Sequence, residues 1–338
     1  MIKRILALLL LFSSILSLAS CGGDEPTVKR KYYYEYCFDT FGTLYDYTGS
    51  SDEDFNALSD SVERELAEYH KLFDIYNEYD GIVNLATLNR LAGEGPQAVD
   101  SRIVDMLLFA KEMYTLTGGE CNVAMGAVLS IWHDYRSEGV ALPSEAELRA
   151  AAEHIDIDDL VIDKAAGTVE LRDPEMSLDV GAVGKGYAVE MIARRMESEG
   201  LSGYILDVGG NLRAIGEKLD GSGWRAGVKN PANPYSTSYV YYLTLKDAAL
   251  VTSGNYERYY TVGGVNYHHI IDKDTLMPEN YYTSVSIMTE SSALCDALST
   301  ALFNMPPEDA RALVESIDGA FAVFVYADGT VEPVGAQP

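Results

Sequence analysis

Ser177-Leu178-Asp179-Val180-Gly181-Ala182-Val183-Gly184-Lys185-Gly186-Tyr187 reads as a strand, a glycine-rich turn carrying one lysine, and a helix that starts near Tyr187 and runs to Met196. Glycines let a backbone come close to a phosphate, and the N-terminus of the helix behind them attracts its charge. The turn is not a P-loop, because only two residues separate Gly181 from Gly184-Lys185 and neither Ser nor Thr follows the lysine. Nor does it fit GxGxxG. Taken alone, it is explained about as well by an ordinary tight strand-to-helix connection.

Upstream of this turn the pattern is helical. Ser51 followed by Asp54 resembles a capping box, and Phe55, Leu58, Val62, Leu66, Tyr69 and Phe73 recur at helical spacing behind a tyrosine-rich first strand. Ile103, Met106, Leu107, Ala110, Met113 and Tyr114 mark a second helix, and Pro143-Ser144 with Glu147 opens a third. Strand-like pieces separated by Gly, Asn and Asp turns follow at 160–163, 168–172, 177–180, 203–208 and 239–245, with a helix at 291–304 and a closing strand at 320–326. Helices and strands mix without a regular βαβ alternation, which predicts an α+β fold, and no linker divides it. A single catalytic body over 31–338 is expected.

The first residues have a different character. Met1-Ile2-Lys3-Arg4 is a positive start, an apolar run extends from Ile5 to Leu18, and Leu18-Ala19-Ser20-Cys21 places small residues before a cysteine. This is similar to the lipobox of bacterial lipoproteins. The run is near the lower limit for a bilayer-spanning helix of about 20 residues, so a cleaved leader over 1–20 is favoured over a transmembrane anchor. Cys21 is then lipidated, 21–30 forms the tether, and the protein is expected outside the cytoplasm, on a membrane through its lipid alone.

Loss of Lys3 and Arg4 with the leader takes the formal charge from -27 to -29, on a chain that is 47% hydrophobic. Such a body repels nucleic acid, and no Lys/Arg cluster interrupts the field. An anionic small ligand binds it only where a metal ion, a helix N-terminus or a few local cations reverse the potential. Cys37, Cys121 and Cys295 remain after lipidation, an odd number that allows one disulfide and one free thiol in an oxidising compartment; with no CxxC or metal-ligand spacing, buried free thiols are the favoured reading.

Five further segments carry polar groups suited to chemistry. Asp296 and Thr300 lie four apart on a helix whose Leu294, Leu298 and Ala301 share the other face, so two oxygens project together, an arrangement that suits a hard cation such as Mg²⁺. An isolated pair of this kind is more often a solvated face. In Tyr267-His268-His269-Ile270-Ile271-Asp272 the two histidines point to opposite faces of a strand, and His269 and Asp272 suit acid-base work or phosphate orientation. Thr252 to Tyr259 reads as a turn and hairpin start, and Asp207-Val208-Gly209-Gly210-Asn211 as a turn. Phe73-Asp74-Ile75-Tyr76-Asn77 offers an aromatic that can stack on a flat ring.

In their order these segments resemble the ApbE family of FAD:protein FMN transferases, over nearly the whole chain from Phe41-Gly42-Thr43 to beyond Thr300. Members carry Met-Gly-Thr, Asp-x-Gly-Gly-Ile-Ala-Lys-Gly, Gly-Gly-Asn, Thr-Ser-Gly-x-Tyr, His-x-Ile-Asp and Asp-Ala-x-Ser-Thr in that order, and all but the first are recognisable here. The resemblance implies a Mg²⁺ ion held by Asp296, Thr300 and the backbone carbonyl of Ala182. It further implies contacts to FAD from Asp179 and Lys185, with Tyr76 flanking the flavin or adenine. Phe41, the stretch Cys121-Asn122-Val123 and backbone near Ile270 would line the same site, with His269 and Asp272 in a supporting catalytic role. FAD is a substrate in this scheme: Mg²⁺ assists its cleavage, AMP leaves, and FMN passes to a threonine hydroxyl of a separate acceptor protein. A Mg²⁺-dependent FAD hydrolase and a non-catalytic flavin-binding lipoprotein are the alternatives. The sequence departs from the family at Phe41 for Met, Cys121-Asn122 for Phe-Asp, Ala124 for Thr and Leu276 for Gly, all in or beside the expected flavin site.

Overall fold

The computed structural model describes residues 28–33, 38, 40–234 and 236–336; the leader, Cys21 and Cys37 lie outside these, together with the expectations that fall on them. In chain order the first part contains β1 (Lys29–Tyr33), β2 (Gly42–Asp46), α1 (Asp52–Phe73), α2 (Leu85–Arg90), β3 (Gln97–Ala98), α3 (Ser101–Leu116), α4 (Gly126–Glu138), α5 (Glu145–Ala151), β4 (Leu160–Asp163) and β5 (Thr168–Leu171). Then come α6 (Gly184–Ser198), β6 (Tyr204–Val208), β7 (Asn211–Ile215), β8 (Trp224–Lys229), β9 (Tyr239–Leu245) and β10 (Ala249–Gly254). The last part holds β11 (Tyr259–Val262), β12 (Val265–His268), β13 (Ser284–Thr289), α7 (Ser292–Asn304), α8 (Pro307–Ser316), β14 (Phe321–Val325) and β15 (Val331–Gly335). This is the α+β mixture expected.

Eight strands form one sheet in the order β1-β2-β6-β7-β10-β13-β14-β15, every neighbouring pair antiparallel. Alternate residues of its strands enter different cores, as a period of two requires. Leu44, Leu206, Val251, Ile287 and Phe324 join the helix-side core, whereas Tyr45, Ile205, Leu250, Met288 and Val323 join Trp224 and Leu243 of the β8-β9 ribbon on the other face. The result is three layers: helices, sheet and ribbon. A smaller apolar cluster holds Val128 and Trp132 of α4 against Tyr260, Ile271 and Leu276.

Local signals explain several helix starts. Ser51 caps α1 by accepting from the Asp54 backbone N–H at 3.1 Å, and Ser144 caps α5 by accepting from the Glu147 N–H at 3.2 Å. The predicted turn at Asp207 to Asn211 is the β6-β7 hairpin. Gly209 and Gly210 adopt φ of 57° and 87°, the left-handed pair that a two-residue hairpin turn needs.

Four expectations change. Residues 177–180 do not form a strand; Ser177 makes an isolated parallel bridge to Met125 instead. The helix after the glycine turn begins three residues before Tyr187, at Gly184. Strand β12 ends at His268, so 269–272 is an irregular connection that bends at His269. Lys29 and Arg30, expected in the tether, pair with Asp46 and Tyr45 as part of β1. Cys121 and Cys295 are buried free thiols, each pushed up to about 12 chiefly by burial, so both stay protonated near neutrality. Among the described residues no helix is long and apolar enough to cross a membrane.

Candidate functional site

Helix α7 follows the interior strand β13 and is capped by Ser291, whose hydroxyl accepts from the Leu294 N–H at 3.3 Å. Its polar face is largely covered. Asp296, against α6, is only 3% exposed, Ser299 is fully buried against Ser253 of β10, and Thr300 is half-buried. Gly186 makes this contact possible: a Cβ there would lie 2.4 Å from both Asp296 Cβ and the Ser292 carbonyl oxygen. The Gly186 N–H, in the first turn of α6, donates to Asp296 Oδ2 at 2.8 Å, so the carboxylate sits on the positive end of the α6 dipole. About one turn further along α6, Glu190 fixes the opposite end of the contact. Its Oε2 accepts from the Ser292 N–H at 2.8 Å and from Arg213 Nε at 3.3 Å, while Oε1 accepts from Arg194.

Lys185 ties the glycine turn to α7. Its ammonium lies 3.5 Å from the Gly181 carbonyl and 3.5 Å from Asp296 Oδ1, with the side chain largely buried. Both contacts exceed the roughly 2.7–2.9 Å of a strong charge-assisted bond, so Oδ1 retains lone pairs for another partner. Thr300, one helical turn on, lies with its Oγ1 3.5 Å from Ser253 Oγ at the end of β10. The Asp296 carboxylate, the Thr300 hydroxyl and the carbonyls of the turn that Lys185 ties to α7 are all oxygen donors, the kind that hard divalent cations take. The residues fit Mg²⁺.

The turn is stitched to a second segment. The Asp179 N–H donates to the Val123 carbonyl at 2.8 Å and the Gly126 N–H to the Ser177 carbonyl at 3.0 Å, which brings Cys121, Asn122 and Val123 beside the glycines. Asn122 spends its amide on this loop, donating to the Ile155 carbonyl and accepting from the Ala124 N–H. Asp179 accepts from the Gly181 N–H at 2.8 Å. Burial pushes its carboxyl above the usual range, opposed by that N–H and by the charges of His133, Arg136 and Lys185.

Sequence reasoning missed His133, Arg136 and Arg258. The first two sit three residues apart on one face of α4. The Tyr76 hydroxyl and His133 Nδ1 are 3.1 Å apart, and their rings meet edge-on at 5.3 Å between centroids. Tyr76 is 61% exposed. Burial, and then the charge of Arg258, lower the Arg136 guanidinium from its usual value, so two cations stand near each other beside Asp179 in a strongly acidic protein. A local group of cations is what an anionic ligand requires in so acidic a protein.

His268 and His269 diverge as expected. His268 turns inward against Phe303, its Nε2 2.8 Å from the Glu279 carbonyl. His269 Nδ1 lies 3.2 Å from the Arg258 carbonyl, which can only accept, so Nδ1 carries the proton and Nε2 is an acceptor. Burial first, and then Arg258, push its pKa down to about 3, leaving the ring neutral at ordinary pH. Ile270 is buried behind it, and its N–H donates to His268 Nδ1 at 3.3 Å. Asp272 folds the next loop, accepting from the Asp274 and Thr275 N–H groups at 3.0 and 2.6 Å. With Glu120 and Asp274 it forms an acidic group within 4.8 Å, but Lys273 reaches both of those partners and supplies the countercharge. Phe41 accepts at its carbonyl from the Gly209 N–H, placing it at the β6-β7 turn.

Leu276 holds φ of 59°, the conformation of a glycine, yet is buried, and its carbonyl accepts from Trp132 Nε1 at 3.0 Å. Leu276→Gly is therefore expected to destabilise by about 1–2 kcal/mol in urea unfolding, less than a usual core leucine truncation, because relief of backbone strain offsets part of the lost packing.

This arrangement defines a class: a site in which a buried carboxylate and neighbouring oxygen groups lie against a glycine turn and its lysine. The ApbE family pattern matches residues 41–325. The chain is 32% identical to a Treponema pallidum protein named FAD:protein FMN transferase, over 73% of this chain and 72% of that one. It is 28% identical to a Vibrio cholerae protein of the same name, over 78% of each. The crystal structure of the ApbE protein from Thermotoga maritima superposes with a TM-score of 0.79 at 26% identity, covering 90% of this chain and 97% of that one. The fold is likewise that of the flavin transferase ApbE from Vibrio cholerae, with a TM-score of 0.75 at 24% identity over 92% and 98% of the two chains. The chain belongs to the ApbE family.

Proposed function

We propose that the protein cleaves FAD and transfers the FMN half to a threonine hydroxyl of an acceptor protein, releasing AMP, with Mg²⁺ held by Asp296, Thr300 and the Ala182 carbonyl. The observation that carries this reading is the contact of the buried Asp296 carboxylate with both Lys185 and Gly186 of the glycine turn. The names of the Treponema pallidum and Vibrio cholerae relatives support the same chemistry. In the balanced step the threonine oxygen bonds to the FMN phosphorus, the anhydride P–O bond breaks, AMP keeps the bridging oxygen, and the hydroxyl proton is released. Mg²⁺ would supply charge withdrawal from the pyrophosphate.

The protein's own groups do the rest. Lys185 and the N-terminus of α6 offset phosphate charge, as would Arg136 and Arg258 near Asp179. Tyr76 stacks on a ring of the dinucleotide, held by His133. Neutral His269 accepts a hydrogen bond at Nε2 and steadies the hydroxyl or phosphate side of the site; Asp272 shapes the loop behind it. Phe41, Cys121, Asn122, Val123 and Ile270 form the walls. We place the protein outside the cytoplasm, anchored by a lipid on Cys21, on the strength of its apolar leader and Leu18-Ala19-Ser20-Cys21.

Incubation of the mature protein with FAD and Mg²⁺, with and without an acceptor domain, tests the reaction through AMP release and acceptor mass. Acceptor-dependent AMP with a matching gain of FMN on the acceptor is expected. Equal AMP without acceptor would indicate hydrolysis, and retained FAD without AMP a binding protein.

A further inference from the structure

We propose that Ser253 is a positioning residue that directs the Thr300 hydroxyl proton away from the cation and so sets the affinity of the site for Mg²⁺. The inference rests on the metal assignment above and extends it to a residue outside the ligand set.

A chain of hydroxyls links β10 to α7. Ser299 Oγ lies 3.1 Å from the Asp296 carbonyl, Ser253 Oγ lies 2.9 Å from Ser299 Oγ, and Thr300 Oγ1 lies 3.5 Å from Ser253 Oγ. A carbonyl oxygen only accepts, so Ser299, which is fully buried, commits its proton there. Pointing that proton elsewhere would set two lone pairs against each other in a buried place, at the cost of a lost hydrogen bond. Ser253 must then donate to Ser299, and its remaining lone pair faces Thr300. The polarity of the whole chain follows from its terminal carbonyl: Thr300 donates to Ser253, and the Thr300 lone pairs point away from Ser253.

This direction matters because a hydroxyl is free to rotate, and a rotamer that aims its proton at a cation is repelled by it. At 3.5 Å the Thr300 to Ser253 separation is longer than the roughly 2.5–3.0 Å of a well-formed O–H···O bond, so the contact has to tighten when Thr300 ligates a cation. A hydroxyl whose oxygen ligates a cation is a stronger donor, so the acceptor at Ser253 contributes most when metal is bound. Groups that orient a ligand from behind typically change metal affinity by about 10–100-fold when removed. The backbone holds Ser253 in place: it pairs with Val285 in the β10-β13 ladder, and the next residue is a glycine whose Cβ would strike the Tyr256 ring at 2.6 Å.

Mn²⁺ binding to the full mature protein without FAD, followed by the spectrum of the free ion, tests this alongside the Mg²⁺ dependence of AMP release. Ser253→Ala is expected to weaken Mn²⁺ binding and raise the Mg²⁺ needed for half-maximal rate by about tenfold or more. The maximal rate and the KM for FAD at saturating Mg²⁺ should stay within about threefold, and Ser253→Thr should restore the affinity. Ser299→Ala, which frees the Ser253 proton to turn toward Thr300, should give a smaller loss of the same sign, and it remains informative if Ser253→Ala folds poorly. Wild-type Mn²⁺ affinity in both alanine variants, with affinity lost in Asp296→Ala, overturns the role of Ser253 and leaves the metal site standing. Unchanged affinity in Asp296→Ala removes the metal site itself and this inference with it.

Discussion

Asp296→Ala is expected to lower Mg²⁺-dependent AMP release by on the order of 10³-fold, since a lost ligand forfeits several kcal/mol of charge stabilisation and each 1.36 kcal/mol is a factor of ten. The side chain also has a structural task, because its Oδ2 accepts from the Gly186 N–H and its Oδ1 faces Lys185. Alanine leaves that N–H unsatisfied where α6 and α7 meet, at about 1–3 kcal/mol. Asp296→Asn separates the two tasks. Its carbonyl oxygen still receives the Gly186 N–H, so thermal unfolding should stay near wild type, while loss of the negative charge removes the hard anionic ligand and turnover falls nearly as far as in the alanine variant. Steady-state AMP release and thermal unfolding of both variants check this; an asparagine variant with wild-type turnover would contradict it.

Gly186→Ala carries the second large effect. Within most helices a glycine-to-alanine change stabilises by about 0.4–1 kcal/mol when the backbone suits it. Here the new methyl would sit 2.4 Å from Asp296 Cβ and from the Ser292 carbonyl oxygen, neither of which can move without displacing α7. The sign therefore reverses: a loss of about 3 kcal/mol by urea unfolding, the upper end of the usual overpacking cost, accompanied by collapse of metal-dependent turnover as Asp296 is pushed off the turn. Gly181→Ala is the contrasting control, because its methyl meets only Asp179 Oδ1, at 3.1 Å. A smaller loss is expected there. Equal losses at the two positions would show that the contact between α6 and α7 is not what the glycine turn protects.

Local chemistry made much of this fold legible. Ser51 with Asp54 and Ser144 with Glu147 cap their helices as their spacing indicates, because a cap is settled within four residues. The double glycine at Gly209-Gly210 fixes its hairpin for the same reason. Helix α4 was invisible, since Met125 offers no capping side chain and only Gly126, Val128 and Trp132 of the helix are buried, too few to draw an apolar stripe. With α4 unseen, His133 and Arg136 had no face to share. Residues 177–180 alternate like a strand, but their neighbour is a loop that supplies a single bridge, so no ladder can form.

The site was half legible. The spacing of Asp296 and Thr300 correctly puts them on one side of α7, yet nothing in that spacing tells a solvated face from one covered by α6; the covering depends on Gly186, more than a hundred residues away. Asp272 reads as a candidate acid-base group because a carboxylate looks alike in any setting. Its partners two and three residues ahead make it the bracket of its own loop. Leu276 reads as a departure from a glycine position, and the structure keeps the glycine-like φ while burying the leucine against Trp132, so the substitution alters packing and not the path of the chain.

The position of the cation is the most direct test. Crystals of the mature protein soaked with Mn²⁺ and FAD should give an anomalous scattering peak within ligand distance of the Asp296 carboxylate and the Thr300 hydroxyl, on the side of the glycine turn. A peak among Glu120, Asp272 and Asp274 instead, with Asp296 still bound to Lys185 and Gly186, would contradict the account.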